Sequence, residues 1–191
     1  MLLNGPPAVG KSTLARRYVD DHPLALALDT LRAMLGRWDE HQERSGQLAR
    51  VAALQVARAH LSAGHDVVIP QLVARAPFLG ALERLAAEVG ADFHEVVLMD
   101  TRAGAAARHR ERSARRRAAG EPDPQGDLVD RSGGDRLLAE HHDRLTALLA
   151  TRPDAVVVVS RRGDVDGTYR ELVRHLARPT GPDDRAPRPP G

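Results

Sequence analysis

Short unbroken apolar runs alternate with amphipathic stretches along this 191-residue chain. Residues 1–4, 24–28, 67–69, 93–99 and 155–159 are apolar over strand length, and the second and fourth of them lead directly into Asp29 and Asp100. Between them lie helical periods. Leu14, Ala15, Tyr18 and Val19 share one side of a first helix that stops at Asp20-Asp21-His22-Pro23, and residues 30–38 form a short second one. An Ala-rich helix over 46–63 ends at Gly64. Phe78, Leu82, Leu85 and Val89 recur at i, i+4, i+7 and i+11 before Gly90. A very basic helix covers 103–119, a Pro/Gly/Asp-rich loop 120–134, and a helix with Leu138, Leu145 and Leu149 inward 135–150. A last helix starts near Asp166, its expected N-cap, and buries Tyr169, Leu172, Val173 and Leu176. Strands that are apolar without alternation are buried on both faces. The pattern therefore predicts an α/β domain with a five-stranded parallel sheet sandwiched by helices.

Composition narrows this further. The chain has no cysteine, which removes disulfides, thiolate metal sites and cysteine nucleophiles. No apolar run approaches the roughly 18 residues of a membrane span, and no leader precedes the first strand, so a cytoplasmic protein without a membrane partner is expected. Aromatics are 3% of residues, which leaves little surface on which nucleic-acid bases could stack. The net charge of +2 does not by itself call for a polyanion. Residues 178–191, rich in Pro, Arg, Asp and Gly, read as a disordered tail.

Lysine usage then changes the picture. Lys11 is the only lysine, and it stands in Gly5-Pro6-Pro7-Ala8-Val9-Gly10-Lys11-Ser12, the G-x-x-x-x-G-K-[ST] phosphate-binding loop. Glycines let the backbone turn its N–H groups onto phosphates, and the following helix adds a positive N-terminal field. Gly5, Pro7, Ala8, Val9, Gly10, Lys11, Ser12 and Thr13 are the candidate nucleotide contacts. Lys11 would reach the β/γ-phosphates and Ser12 would offer its hydroxyl to Mg²⁺. A guanine-reading N-K-x-D is excluded because the single lysine is already placed. Asp164-Val165-Asp166-Gly167 has D-x-x-G spacing but follows the last strand, too late for a GTPase switch. The nine histidines form no H-x-x-x-H pair, and adjacent His141 and His142 would point about 100° apart on a helix, so no histidine metal site is expected.

With these features the chain resembles small P-loop kinases that phosphorylate hydroxyl groups. The closest pattern is that of the chloramphenicol phosphotransferase-like and tunicamycin-resistance-like ATP-binding proteins. The likeness spans nearly the whole chain apart from the tail. It rests on Leu3-Asn4-Gly5 with the loop through Ser12, on Asp29, on the strand at 66–70, and on the arginine-rich helix after Asp100. It implies an NMP/shikimate-kinase-like P-loop NTPase fold over residues 1–177, with a helical lid at about 108–134. It also implies ATP and Mg²⁺, and a small hydroxylated acceptor, with an antibiotic suggested by the family.

In such proteins the Asp ending strand two is the general base at the acceptor hydroxyl, and Asp29 matches it; a plain helix N-cap is the alternative reading of the same residue. Arg32, one turn later, could hold the acceptor or be an ordinary surface arginine. Arg108, Arg112 and Arg115 share a helix face. Related kinases place such arginines at a lid, one on adenine and one at the transferring phosphoryl group, and Arg108 and Arg112 match that pair. Gly163-Asp164-Val165 follows the last strand, where relatives pass backbone beside adenine. One departure stands out: the third strand ends Ile69-Pro70-Gln71, with no carboxylate for Mg²⁺, which leaves Ser12, the phosphates, water, and Asp29 or Asp100. Gln71 and Arg75 then face the acceptor. Nucleotide, sugar-acid or polynucleotide phosphorylation, and ATP binding without transfer, are the other readings; a monomer or homodimer fits all of them.

Overall fold

The computed structural model describes residues 1–19 and 24–177. The Asp20–Pro23 helix stop and the tail read as disordered lie outside these residues. In chain order the elements are β1 (Leu2–Asn4), α1 (Lys11–Val19), α2 (Leu28–Ala33), α3 (Gln42–Ser62), β2 (Ile69–Pro70), α4 (Ala76–Glu88), β3 (Glu95–Met99), α5 (Arg102–Ala118), α6 (Pro124–Arg131), α7 (Gly134–Leu149), β4 (Val156–Val159) and α8 (Val165–Leu176).

The sheet is parallel throughout, in the order β2-β1-β3-β4. Leu2 lies opposite Ile69 and Glu95, and Val96 opposite Val156. It has four strands, not the five expected. The apolar run 24–28 makes a single parallel bridge, Ala25 to Val68, with Leu26 N–H donating to Val68 O and Val68 N–H to Leu24 O. The run cannot extend further because Ala27 O already accepts from Thr30 and Leu31 as α2 begins. Its place is nevertheless beside β2, at the edge where a fifth strand would lie.

Side chains of each strand alternate between two cores. Leu2, Val67 and Ile69 face α2, α3 and α4 with Leu28, Ala53, Ala57, Phe78, Leu82 and Leu85. Leu3, Val68, Val96, Leu98 and Val158 face α1, α5 and α8 with Leu14, Ala105 and Leu172. The sheet is thus covered on both sides, which is why its strands read as unbroken apolar runs.

Three further expectations are corrected. The 120–134 stretch is not all loop: Asp123 caps α6 by accepting from Gly126 N–H, so Pro124 becomes the first helical residue. The last helix is capped by Asp164, not Asp166; Asp164 Oδ1 accepts from Gly167 N–H at 2.7 Å. The D-x-x-G run is therefore a cap in which glycine at the third helical position gives the carboxylate room, since a Cβ there would overlap it. Val173 is exposed, because α8 turns Leu172 toward the sheet.

Parallel strands put all their C-terminal ends at one edge, where α/β folds bind ligands. Asn4 organises that edge. Fully buried, it accepts from Gly5 N–H (2.8 Å) and Val73 N–H (2.9 Å) and donates to Val73 O (2.9 Å). Asn4→Ala would orphan all three backbone groups. A loss of about 3 kcal/mol is expected in urea denaturation, and a loss below about 1 kcal/mol would show that the loop relaxes onto water instead.

Candidate active site

The loop between β1 and α1 adopts backbone conformations that only its own sequence tolerates well. φ is +145° at Gly5, +64° at Ala8 and +100° at Gly10. A Cβ on Gly5 would overlap the carbonyl oxygen of Leu98 in β3, so glycine there allows the loop to sit directly on the sheet. Ala8 is held left-handed at a cost of about 1 kcal/mol. Such alternation of hand gathers successive N–H groups into an anion-binding concavity. The N–H groups of Ala8, Val9, Gly10, Lys11 and Ser12 donate to no described protein group. Pro6 and Pro7 bring no N–H at all, while Thr13 and Leu14 are already bonded to Gly10 O. Five free donors at the N-terminus of α1, with an unengaged Ser12 hydroxyl beside them, fit a chain of phosphates and a divalent cation.

Lys11 is folded back over this loop. Its Nζ donates to Gly5 O at 2.8 Å and Pro6 O at 2.7 Å. Burial lowers its pKa from 10.5 to about 8; the Asp29 carboxylate opposes that shift and the Arg112 guanidinium adds to it.

Asp29 is the second residue of α2, not its cap; the N-cap is Ala27 and no side chain caps this helix. Its carboxylate forms no hydrogen bond or ion pair with the described residues, and the residue is exposed. The surrounding protein still displaces enough water to raise its pKa above the ordinary carboxylate value, against the pull of Lys11, Arg32 and Arg112. Lys11, Asp29 and Arg112 thus act on one another electrostatically, as one group.

The other strand ends close the site. Asp100, after β3, is already engaged: its Oδ2 pairs with Arg108 Nε at 2.8 Å and its Oδ1 accepts from Thr101 N–H. Arg108 also donates to Ser160 O (2.5 Å) and Oγ (3.1 Å), and Ser160 Oγ donates to Val9 O in the phosphate loop. Arg112 lies 3.7 Å from the Asp123 carboxylate, and its buried Nε has no partner. Gly163-Asp164-Val165 forms the turn into α8, whose Asp166 pairs with Arg17 of α1. This turn follows Ser160 directly and so starts beside the loop.

On the acceptor side, Arg32 donates to Ser45 Oγ and Gln42 O and lies 5.0 Å over the Trp38 ring. Gln71 is fixed by its N–H to Leu3 O, and Arg75 is the residue before α4. Ser160 and Asp123 are site-forming residues that motif reading passed over, and Asn4, quoted only within Leu3-Asn4-Gly5, was given no role of its own. Each is a polar residue placed at the end of a strand or the start of a helix, and that position was the available signal.

The family and the fold agree with this geometry. The chain belongs to the AAA domain family, whose model matches residues 1–127. None of the curated proteins compared matches the sequence significantly. Among solved structures it is similar to a Chloroflexus aurantiacus J-10-fl protein designated a "putative kinase", with a TM-score of 0.64 and 20% identity, over 92% of this chain and 97% of that one. This likeness is one of fold. Among the described residues no helix is long and apolar enough to cross a membrane.

The lysine makes a pH prediction. Unfolded, Lys11 keeps its proton to about 10.5; folded, it loses it near 8. Between these values the unfolded chain holds more protons, so nucleotide-free stability rises with pH across that window, and below it the buried charge costs on the order of 3 kcal/mol. Lys11→Met is expected to raise the nucleotide-free Tm at pH 7 by roughly 5 °C and to flatten its climb from pH 8 to 10.5. An unchanged or lower Tm at pH 7 would contradict this.

Proposed function

We propose that this chain is an ATP-dependent phosphotransferase acting on a hydroxyl group of a small molecule. The reading rests on one observation: a loop with five N–H groups unpaired among the described residues carries the only lysine, and that lysine acts electrostatically on Asp29, a carboxylate without a hydrogen bond or ion pair among those residues. The loop donors and Lys11 would hold the β- and γ-phosphates of ATP. The Ser12 hydroxyl would hold Mg²⁺, which neutralises charge on the phosphates. Asp100 is committed to Arg108, and Gln71 offers no carboxylate, so Asp29 is the acid left to meet the acceptor.

In the transfer, the acceptor oxygen forms a bond to the γ-phosphorus as the bond to the β,γ-bridging oxygen breaks. ADP leaves with that electron pair, and the hydroxyl proton passes to Asp29. A raised carboxylate pKa suits this role, because it makes the Asp29 carboxylate a stronger base than an ordinary one. Arg112, with an unsatisfied Nε, is placed to follow charge on the phosphoryl group. Arg108 would face the adenine side together with Gly163-Asp164-Val165, and residues 108–134 would act as the lid of a domain covering 1–177. The family resemblance makes hydroxylated antibiotics one acceptor set, with nucleotides and sugar acids another. Polynucleotides fit less well, since Arg102, Arg110, Arg116 and Arg117 of α5 are paired with acids rather than displayed. Gln71, in place of a metal-binding carboxylate, favours a second reading, ATP binding without transfer.

Both readings predict nucleotide binding. With a Kd of about 10 μM, 1 mM ATP·Mg²⁺ should stabilise the fold by about 2.7 kcal/mol, a Tm shift of roughly 5–10 °C. ATP consumption is then followed against panels of hydroxylated compounds, with mass analysis for an added phosphate. Asp29→Asn should keep the Tm shift and reduce turnover by at least about a hundredfold. Retained turnover removes Asp29 as the base, absence of any nucleotide shift removes both readings, and a shift without turnover on any panel leaves the binding module.

A further inference from the structure

Beside the phosphate loop lies a cleft of about 720 Å³, walled by α2, the 71–75 loop, the first turns of α3 and α4, and α7. It adjoins the transfer site at two points. Arg32 on its rim follows Asp29 by one helical turn, and Val73 in its wall is the residue clamped by Asn4.

Its charge is one-sided. Arg32, Arg50, Arg75 and Arg144 line it, with Glu43 as the only acid. Among the described residues Arg32, Arg50 and Arg75 form no ion pair; their contacts are neutral, Arg32 to Ser45 and Gln42 and Arg50 at 5.9 Å over the Phe78 ring. Arg144 touches an acid only at 3.7 Å, Glu140 of its own helix. Many other arginines are paired, as Arg58 with Glu88, Arg102 with Asp143 and Arg152 with Glu83 and Glu95, and those without an ion pair among the described residues, such as Arg16, Arg44 and Arg174, do not line this cleft. Two helix N-termini without side-chain caps, those of α3 and α4, open on the same space and add to its positive field. His141 stands at the rim with a buried Nδ1 that has no protein partner.

We infer that this cleft is the acceptor subsite and that the acceptor is a hydroxylated small molecule carrying an anionic group, a phosphate monoester or a carboxylate, gripped by Arg32, Arg50 and Arg75. The inference rests on the phosphotransferase reading above and names its substrate class. Guanidinium forks match both anions in a bidentate manner, and four arginines against Glu43 in the lining, with Asp29 acting on Arg32 from one turn away, leave a positive excess that an anion would offset. With its anion held in the cleft, such a molecule would present its hydroxyl toward Asp29, one helical turn from Arg32.

The test fills the phosphate loop first. Wild type and the Arg50→Gln/Arg75→Gln double variant are saturated with AMP-PNP and Mg²⁺. Each is then titrated, by calorimetry and Tm, with three matched sets of probes. These are phosphate monoesters (ribose 5-phosphate, glucose 6-phosphate, adenosine monophosphate), carboxylates (gluconate, glucarate) and neutral compounds (ribitol, glucose, chloramphenicol). The expected result is binding by one anionic set, which also tells phosphate from carboxylate, weakened about tenfold or more in the double variant, while the AMP-PNP shift stays the same in both proteins. Three results overturn it: neutral probes binding as well as anionic ones, no binding by either anionic set, or anionic binding unaffected by the double substitution. If ATP·Mg²⁺ itself gives no shift, the phosphotransferase reading fails. If it does and only neutral acceptors are phosphorylated, this inference alone fails.

Discussion

One buried amide sets the geometry on which the site depends. β2 is only two residues long and ends in Pro70, which has no N–H to carry the ladder on. Past Pro70, Gln71 N–H still reaches Leu3 O, and then the Asn4 side chain takes over, bonding both backbone groups of Val73 while its oxygen also receives Gly5 N–H. A side chain thus replaces a further pair of residues in the sheet. The chain after β2 can leave the sheet at once and still be tied to it, and the space it vacates is the cleft. The same oxygen fixes where the phosphate loop begins. The phosphate loop and the wall of the cleft at Val73 therefore share one anchor, which keeps them in register.

Arginine is used in two ways on the two sides of this anchor. In α5 and its neighbours it is paired: Arg110 with Asp135, Arg116 with Glu121 and Asp123, and Arg117 with Asp130. Exposed pairs of this kind contribute at most about 1 kcal/mol each, so α5, α6 and α7 are tied by many weak, exchangeable contacts rather than by a large apolar interface. Arg108 is the exception. It is mostly buried and fastened to Asp100 and Ser160, so the N-terminal half of α5 is fixed to the strand ends while its C-terminal half rests on surface pairs. In the cleft, by contrast, Arg32, Arg50 and Arg75 form no ion pair among the described residues, and Glu43 is the acid in the lining. Such a concavity carries an excess of positive charge, which would favour an anionic ligand.

How much of this was legible in the sequence follows from the range of the interactions. The phosphate loop, Lys11 and the layered α/β plan are local patterns, and they stand where the spacing put them. Asp29 was found as the polar residue ending an apolar run, although the run itself forms one bridge rather than a strand. Periodicity registers that 24–28 is buried; it cannot register that α2 begins at Leu28 and takes the Ala27 carbonyl. The helix inside 120–134 was hidden because its composition is that of a loop, and Asp123 with Gly126 becomes a cap only once the backbone turns. Asn4 and Ser160 act over separations of 69 and 151 residues, which no window along the chain can reveal. The cleft is the extreme case. Arg32, Arg50, Arg75 and Arg144 come from four elements; Arg32 and Arg75 were singled out by their places after Asp29 and Gln71, but nothing in the spacing of Arg50 and Arg144 joins them to that pair.

The Lys11–Asp29 pair shows why such a site is built at a cost in stability. Burial disfavours the charge on both groups, pushing the lysine pKa down to about 8 and the aspartate up; their mutual attraction opposes both shifts, and Arg32 and Arg112 add to the pull on Asp29. A triphosphate entering the loop would bring negative charge to Lys11 and displace its hold on the Gly5 and Pro6 carbonyls. The lysine would then regain its full positive charge. Its attraction for Asp29 would be shared with the phosphates, whose own charge raises the carboxylate pKa further and strengthens it as a base. Donor binding would therefore prepare the acceptor side electrostatically, with no movement of the backbone required.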